Sequence, residues 1–175
     1  MAYTDIDDPS AYFQTTLYTG NGGTQTITNG GNSDLQPNWI WTKVRSETGS
    51  HRLVDTVRGI TKPLFSNGTD AEGNETNYSA FNSDGFSLVN NSLNENNRTY
   101  VAWQWKAGTS FTNDASGTGI GSIDSAGSVN QDAGFSICTF TGTGSAGTIK
   151  HGLNTVPTMI IVKGRNEAKA WTVYH

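Results

Sequence analysis

Tyr100-Val101-Ala102-Trp103-Gln104-Trp105-Lys106 is the stretch whose pattern decides the fold. Its two tryptophans stand two residues apart with a polar residue between them, the period of a pleated strand. Trp103 and Trp105 therefore share one face, and Gln104 points to the other. Pro37-Asn38-Trp39-Ile40-Trp41-Thr42-Lys43-Val44-Arg45 carries the same spacing, with Trp39 and Trp41 on one face and Ile40 opposite. Apolar residues on both faces predict that the two ribbons form a core between sheets. The alternative is a platform of Trp faces on which a sugar ring stacks.

Outward from these ribbons, strands are expected at Phe13–Tyr18, Thr24–Thr28, His51–Val57, Thr61–Phe65, Phe86–Val89, Phe135–Phe140, Thr148–His151, Thr158–Lys163 and Ala170–Tyr174. Turn formers such as Asn21-Gly22-Gly23, Asn29-Gly30-Gly31, Asn67-Gly68 and Asp84-Gly85 separate them. Short strands spaced about ten residues apart indicate an all-β antiparallel sandwich. Composition agrees. Among 175 residues, 24 Thr, 21 Gly, 17 Asn and 16 Ser leave little room for strong helix formers, and only 15% are charged.

Comparing the chain with itself reveals a duplication. Phe13–Ile27 aligns with Phe135–Ile149 without a gap, and Pro37–Arg45 meets Pro157–Arg165. Asp55 then falls opposite His175, so the period is about 120 residues and the second copy lacks a counterpart of residues 56–106. Four regions follow: an acidic arm at 1–11, a first β-sandwich at 12–107, a Gly/Ser-rich linker at 108–133, and the beginning of a second module at 134–175. A sandwich without half its strands leaves edges unpaired and a core face bare. We therefore expect either a polypeptide that continues past His175 or partner chains that supply the strands, with Met1 as the natural start.

Several of these segments resemble virion structural proteins of marine phages, those of cyanobacteria and of abundant ocean heterotrophs. The resemblance is carried by Met1-Ala2-Tyr3-Thr4-Asp5-Ile6-Asp7-Asp8-Pro9-Ser10-Ala11-Tyr12-Phe13, Leu17-Tyr18-Thr19-Gly20, Leu35-Gln36-Pro37-Asn38-Trp39-Ile40-Trp41, Val57-Arg58-Gly59-Ile60-Thr61-Lys62 and Tyr100–Lys106. Gly134-Phe135-Ser136-Ile137 and His151-Gly152-Leu153 through Val156-Pro157 are similar to the downstream module of the same proteins. The resemblance implies a concanavalin-like sandwich of jelly-roll type and a tail-fibre-like or lectin-like role in a virion assembled in the host cytoplasm. It also implies other virion proteins of the tail or capsid as partners, a place on a tail fibre or as a capsid-surface fibre or decoration, and a homotrimer, since fibres are commonly trimeric. Asn38 and Thr42 depart from the pattern, in which an acidic and an apolar residue are usual.

Candidate site residues follow from both readings. Asp5, Asp7, Asp8 and Tyr12 are expected to anchor the chain to a basic surface on the particle. As a lectin, the protein would stack Trp103, Trp105, Tyr100 or Tyr78 on a host-surface glycan. A hydrolase would need two carboxylates about 5–9 Å apart in a cleft. Glu47, Asp55, Asp70, Glu72, Glu75 and Asp84 are the candidates, and nothing in their spacing pairs them, so no enzyme activity and no cofactor are expected. The Asn67–Glu75 stretch is rich in oxygen ligands but fails the spacing of a calcium loop, so a solvated loop is expected and no metal. Asn67, Asn74, Asn77, Asn90 and Asn97 begin Asn-x-Ser/Thr triplets that this composition generates by chance, and no glycans are assigned to them. Cys138 is the single cysteine, which excludes an intrachain disulfide. A net charge of −4 without a basic run argues against nucleic acid, and the longest apolar run, Met159–Val162, is too short for a helical membrane span. The acidic N-terminus has no apolar core of a secretory signal.

Overall fold

Five antiparallel strands, β1 (Phe13–Thr19), β8 (Thr99–Trp105), β3 (Trp39–Val44), β4 (Arg52–Asp55) and β5 (Gly59–Leu64), lie side by side in that order. The computed structural model describes residues 6–89 and 91–175. Facing the five strands is a smaller sheet of β2 (Gln25–Ile27), β7 (Phe86–Leu88) and β6 (Tyr78–Phe81). Tyr18, Ile27, Ile40, Val44, Val54, Tyr78, Phe86, Leu88, Leu93, Tyr100 and Ala102 fill the space between them. The first copy is thus a two-layer β-sandwich, as its alternation predicts.

The alternation also says which residues share a face, and the core has taken the even-numbered positions of β1, β3 and β8. Ile40, Tyr100 and Ala102 are fully buried, whereas Trp39, Trp41, Trp103 and Trp105 are half-buried on the outer face. The expected Trp core is therefore corrected: the β-branched and smaller residues are inside, and the indoles are outside. Thr42 is buried without loss because its hydroxyl bonds the buried Tyr78 hydroxyl at 2.7 Å. That bond accounts for a polar residue where an apolar one is usual.

Residues 108–133 are not a linker. β9 (Thr109–Asn113) and β10 (Ser125–Asn130) pair with β11 (Phe135–Phe140) in a three-stranded antiparallel sheet of order β11-β10-β9. Main-chain pairing needs few apolar side chains, so a Ser/Gly/Thr composition conceals these strands. At Gly127 a Cβ would stand 2.7 Å from the Phe111 ring, and its absence lets that ring cross the strand. A one-turn helix, α1 (Ala115–Thr118), joins β9 to β10; Asp114 caps it by accepting the Gly117 N–H, and Gly119 closes it at φ 67°. Asn38 accepts the main-chain N–H groups of Ala107 and Gly108, both at 2.9 Å, and so fixes where the chain leaves the sandwich.

The duplication survives in three dimensions. β12 (Ile160–Val162) pairs with β13 (Thr172–Tyr174), matching Ile160 to Tyr174, Ile161 to Val173 and Val162 to Thr172. Those pairs are the β3–β4 pairs Ile40 to Val54, Trp41 to Leu53 and Thr42 to Arg52, each moved by 120 residues. Lys43 donates to the carbonyls of Val44 and Glu47, and Lys163 donates to those of Gly164 and Glu167. β11, the counterpart of β1, pairs with β10 where β1 pairs with β8. The Thr148–His151 strand is reduced to a single bridge between Ile149 and Ile123. No strand lies over the apolar side chains of the second hairpin among the described residues, and Met159, Ile160, Ile161, Val162, Val173 and Tyr174 are exposed.

Candidate functional site

On the outer face of the five-stranded sheet the strand register lines up two rows of side chains. Phe13, Trp105, Trp39 and Asp55 form one, and Thr15, Trp103, Trp41 and Leu53 the next. Neighbouring rings touch along the first row, with Phe13–Trp105 centroids 4.8 Å apart and Trp105–Trp39 4.6 Å. Phe135 of β11 stacks on Trp39 at 5.7 Å and an interplanar angle of 12°, so the second copy leans against this row. In the second row Trp41 meets Trp103 edge-on at 5.7 Å. Trp41 also donates its Nε1–H to His51 Nδ1 at 2.9 Å. That bond needs Nδ1 unprotonated. Burial, and then the Lys43 charge, hold the His51 pKa below its ordinary value.

The outer face sets flat aromatic surface beside the polar side chains of Thr15, His51 and Lys43. Trp103 and Trp105 belong to it. Tyr78 and Tyr100 do not: they are 3% and 0% exposed, and neither ring face is open to a sugar. Both lie in the core, where Tyr100 stacks on Tyr18 at 5.0 Å. Burial raises the Tyr78 and Tyr100 pKa values. Sequence reading missed Phe13, Phe135 and His51. The pairing of Phe13 with Phe135 in the repeat was the available signal for the two phenylalanines.

The proposed anchoring residues divide. Asp5 lies outside the described residues. Asp7 is exposed, whereas the Asp8 carboxylate is spent within the chain. It accepts the Ser10 N–H, caps the 3-10 turn Pro9–Ala11, and binds the hydroxyls of Ser10 and Ser33 at 2.6 and 2.5 Å. Hydrogen bonds from Ser10 and Ser33 lower its pKa. Tyr12 is half-buried, and its carbonyl accepts the Lys106 N–H at 2.9 Å. Residues 8–12 are therefore part of the sandwich rather than of a free arm.

Asp55, Glu72 and Glu75 are tied to arginine. Arg58 donates Nε to Asp55 at 2.6 Å and Nη1 to Glu72 at 3.1 Å, with both charged partners largely buried. Glu72 then receives Arg165 of the second copy through Nε and Nη2, each at 2.8 Å. Burial raises the Glu72 pKa most strongly, but hydrogen bonds and charge from Arg165 and Arg58 together outweigh it and hold it low. Trp171 donates to the Phe65 carbonyl at 2.9 Å and Lys163 to that of Thr69 at 3.3 Å. Together with a main-chain bond from Glu72 N–H to the Arg165 carbonyl, these seat the second hairpin on the 65–72 loop of the first module. Glu75 is likewise paired, with Arg52 at 2.7 Å.

Residues 8–175 match the model of a family described as a domain of unknown function, DUF7483. The chain belongs to that family. Its match runs through the sandwich, the three-stranded sheet and the second hairpin alike. No curated protein and no solved structure matches the chain.

Proposed function

We propose that this chain is a structural protein of a phage particle, a component of a tail fibre or another appendage that binds other virion proteins and contributes to host attachment. The observation that carries the reading is the repeated hairpin, identical in register after 120 residues and seated on the preceding module through Arg165, Trp171 and Lys163. Modules linked in series by side-chain contacts are how an elongated appendage is built. The resemblance of residues 1–13, 35–41 and 100–106 to marine phage virion proteins supplies the context. Truncation gives the test. Removing residues 1–7 leaves the Asp8 cap and the Tyr12–Lys106 bond in place, so the protein should fold but be lost from purified particles. Retention on the particles at the wild-type level would remove the anchoring role.

A second reading has its own observation, the half-buried indoles of Trp41 and Trp103 beside His51 and Thr15. In it the outer face recognises a carbohydrate on the host surface. Trp103→Ala should abolish retention on a glycan array while leaving the near-ultraviolet signature of the core tyrosines unchanged. An unaltered array profile would exclude this face as the glycan site.

A further inference from the structure

The five-stranded sheet has one covered edge and one open edge. Beside β5, the main chain of residues 73–75 bonds the Pro63 and Thr61 carbonyls. Beyond β1 no strand is paired among the described residues. Lys106 N–H bonds the Tyr12 carbonyl and Gly20 N–H bonds that of Arg98, so the even positions of β1 face β8. The N–H and C=O groups of Phe13, Thr15 and Leu17 consequently point outward, along an open cleft of about 570 Å³ bounded by Gly30 and Gly31. Edges of this kind are normally blunted by a lysine, a proline or a bulge. Phe13–Thr19 contains none of these and no charge.

We propose that β1 is an interaction surface for a second copy of this chain, joining two five-stranded sheets edge to edge around a two-fold axis at Thr15. A two-fold axis at Thr15 opposes position 15 to itself and position 13 to position 17, so a charge at 15 would meet its like and a lone charge at 13 or 17 would meet an apolar side chain. An uncharged strand meets that requirement. Only odd positions carry free main-chain groups, and the register centred on Thr15 sets Phe13 opposite the partner's Leu17. Those are the two exposed apolar residues of the strand, 38% and 59% accessible, and both lie on the outer face. Pairing covers each with the other and extends the Trp39–Trp105–Phe13 row by the partner's Leu17. Each of the odd pairs exchanges both main-chain hydrogen bonds, and the even side chains Gln14 and Thr16 keep their bonds to Ser33 and Asn29.

The test uses the full chain and sedimentation velocity. The wild type should sediment as a dimer. Thr15→Lys and Thr15→Glu should each weaken it by about tenfold or more, because position 15 faces its own copy. An equimolar mixture of the two variants should restore the dimer through the opposed charges. A wild type that stays monomeric at high micromolar concentration, a trimer, a dimer indifferent to both substitutions, or a mixture that fails to recover would each overturn the proposal. Circular dichroism establishes that the variants fold. If they do not, amide exchange of the wild type decides: Phe13, Thr15 and Leu17 should exchange more slowly as concentration rises, and exchange independent of concentration overturns the proposal.

Discussion

Replacing Arg58 with Ala should be the most damaging single change on the surface of the five-stranded sheet. The guanidinium is almost buried and makes four contacts: Asp55 at 2.6 Å, Glu72 at 3.1 Å, and the carbonyls of Lys62 and Leu53 at 2.6 and 3.0 Å. Glu72 keeps Arg165 when Arg58 is removed. Asp55, 3% exposed, keeps the main-chain N–H groups of Val57 and of residue 58 but loses its countercharge, while two carbonyls lose a donor. Stranding one member of a buried pair costs about 3–5 kcal/mol. At about 2–4 °C per kcal/mol for a chain of this size, the thermal midpoint should fall by roughly 6–20 °C. Near-ultraviolet dichroism of the core aromatics reports the transition. Asp55→Asn added to Arg58→Ala should recover part of the loss, since the amide carries no charge but keeps the oxygen that accepts Val57. A loss below about 1 kcal/mol for Arg58→Ala, or no recovery in the double variant, would refute the reasoning that an uncompensated buried charge governs this site.

Other expectations follow from the same geometry. Arg165→Ala removes a guanidinium whose side chain is 46% exposed, so stability should change by less than about 1 kcal/mol, yet protease cleavage between the modules should accelerate; equal cleavage rates would show that the Glu72 contact does not hold the hairpin in place. Because the folded-state pKa of Glu72 is depressed, its contribution is complete above the unfolded value and disappears as pH falls through the lower folded value; Glu72→Gln should flatten that acid limb of the stability profile. His51 has a depressed pKa as well, and its neutral form accepts from Trp41, so acidification should move the Trp41 indole N–H resonance and leave that of Trp103 in place; parallel movement of both would contradict the bond. Gly85 sits at φ 86° with its missing Cβ 2.0 Å from the Ile27 carbonyl oxygen, so Gly85→Ala should destabilise by more than the roughly 1–2 kcal/mol of the left-handed conformation alone, as read by urea unfolding.

Period-two alternation placed β1, β3, β4, β5, β7, β8 and β11 close to their observed ends, because each alternates with turn residues on either side. What the alternation leaves open is which face turns inward. β3 carries Ile40 and Val44 on one side and two indoles on the other, and only the facing sheet, with Phe86 and Leu88, decides between them. The parity did hold information left unused. Tyr100 and Trp103 are an odd number of residues apart, so they lie on opposite faces of β8 and cannot stack on one ligand. β9 and β10 were hidden by a composition that also describes coil, and β6 by the register shift between Tyr78 and Ala80, which sets its aromatic residues three apart instead of two. The contact between Glu72 and Arg165 joins residues far apart in sequence and had no local signal. The repeat, by contrast, was legible to the residue, and the hairpin register reproduces it.

Membership of a phage particle is tested most directly by cryo-electron microscopy of purified virions at a resolution that traces strands. Density for an appendage should accommodate the two-layer sandwich of residues 12–107, with the Ile160–Tyr174 hairpin seated on its 65–72 loop. Particles whose every appendage is traced to other polypeptides, together with absence of this chain from their protein content, would contradict the structural role.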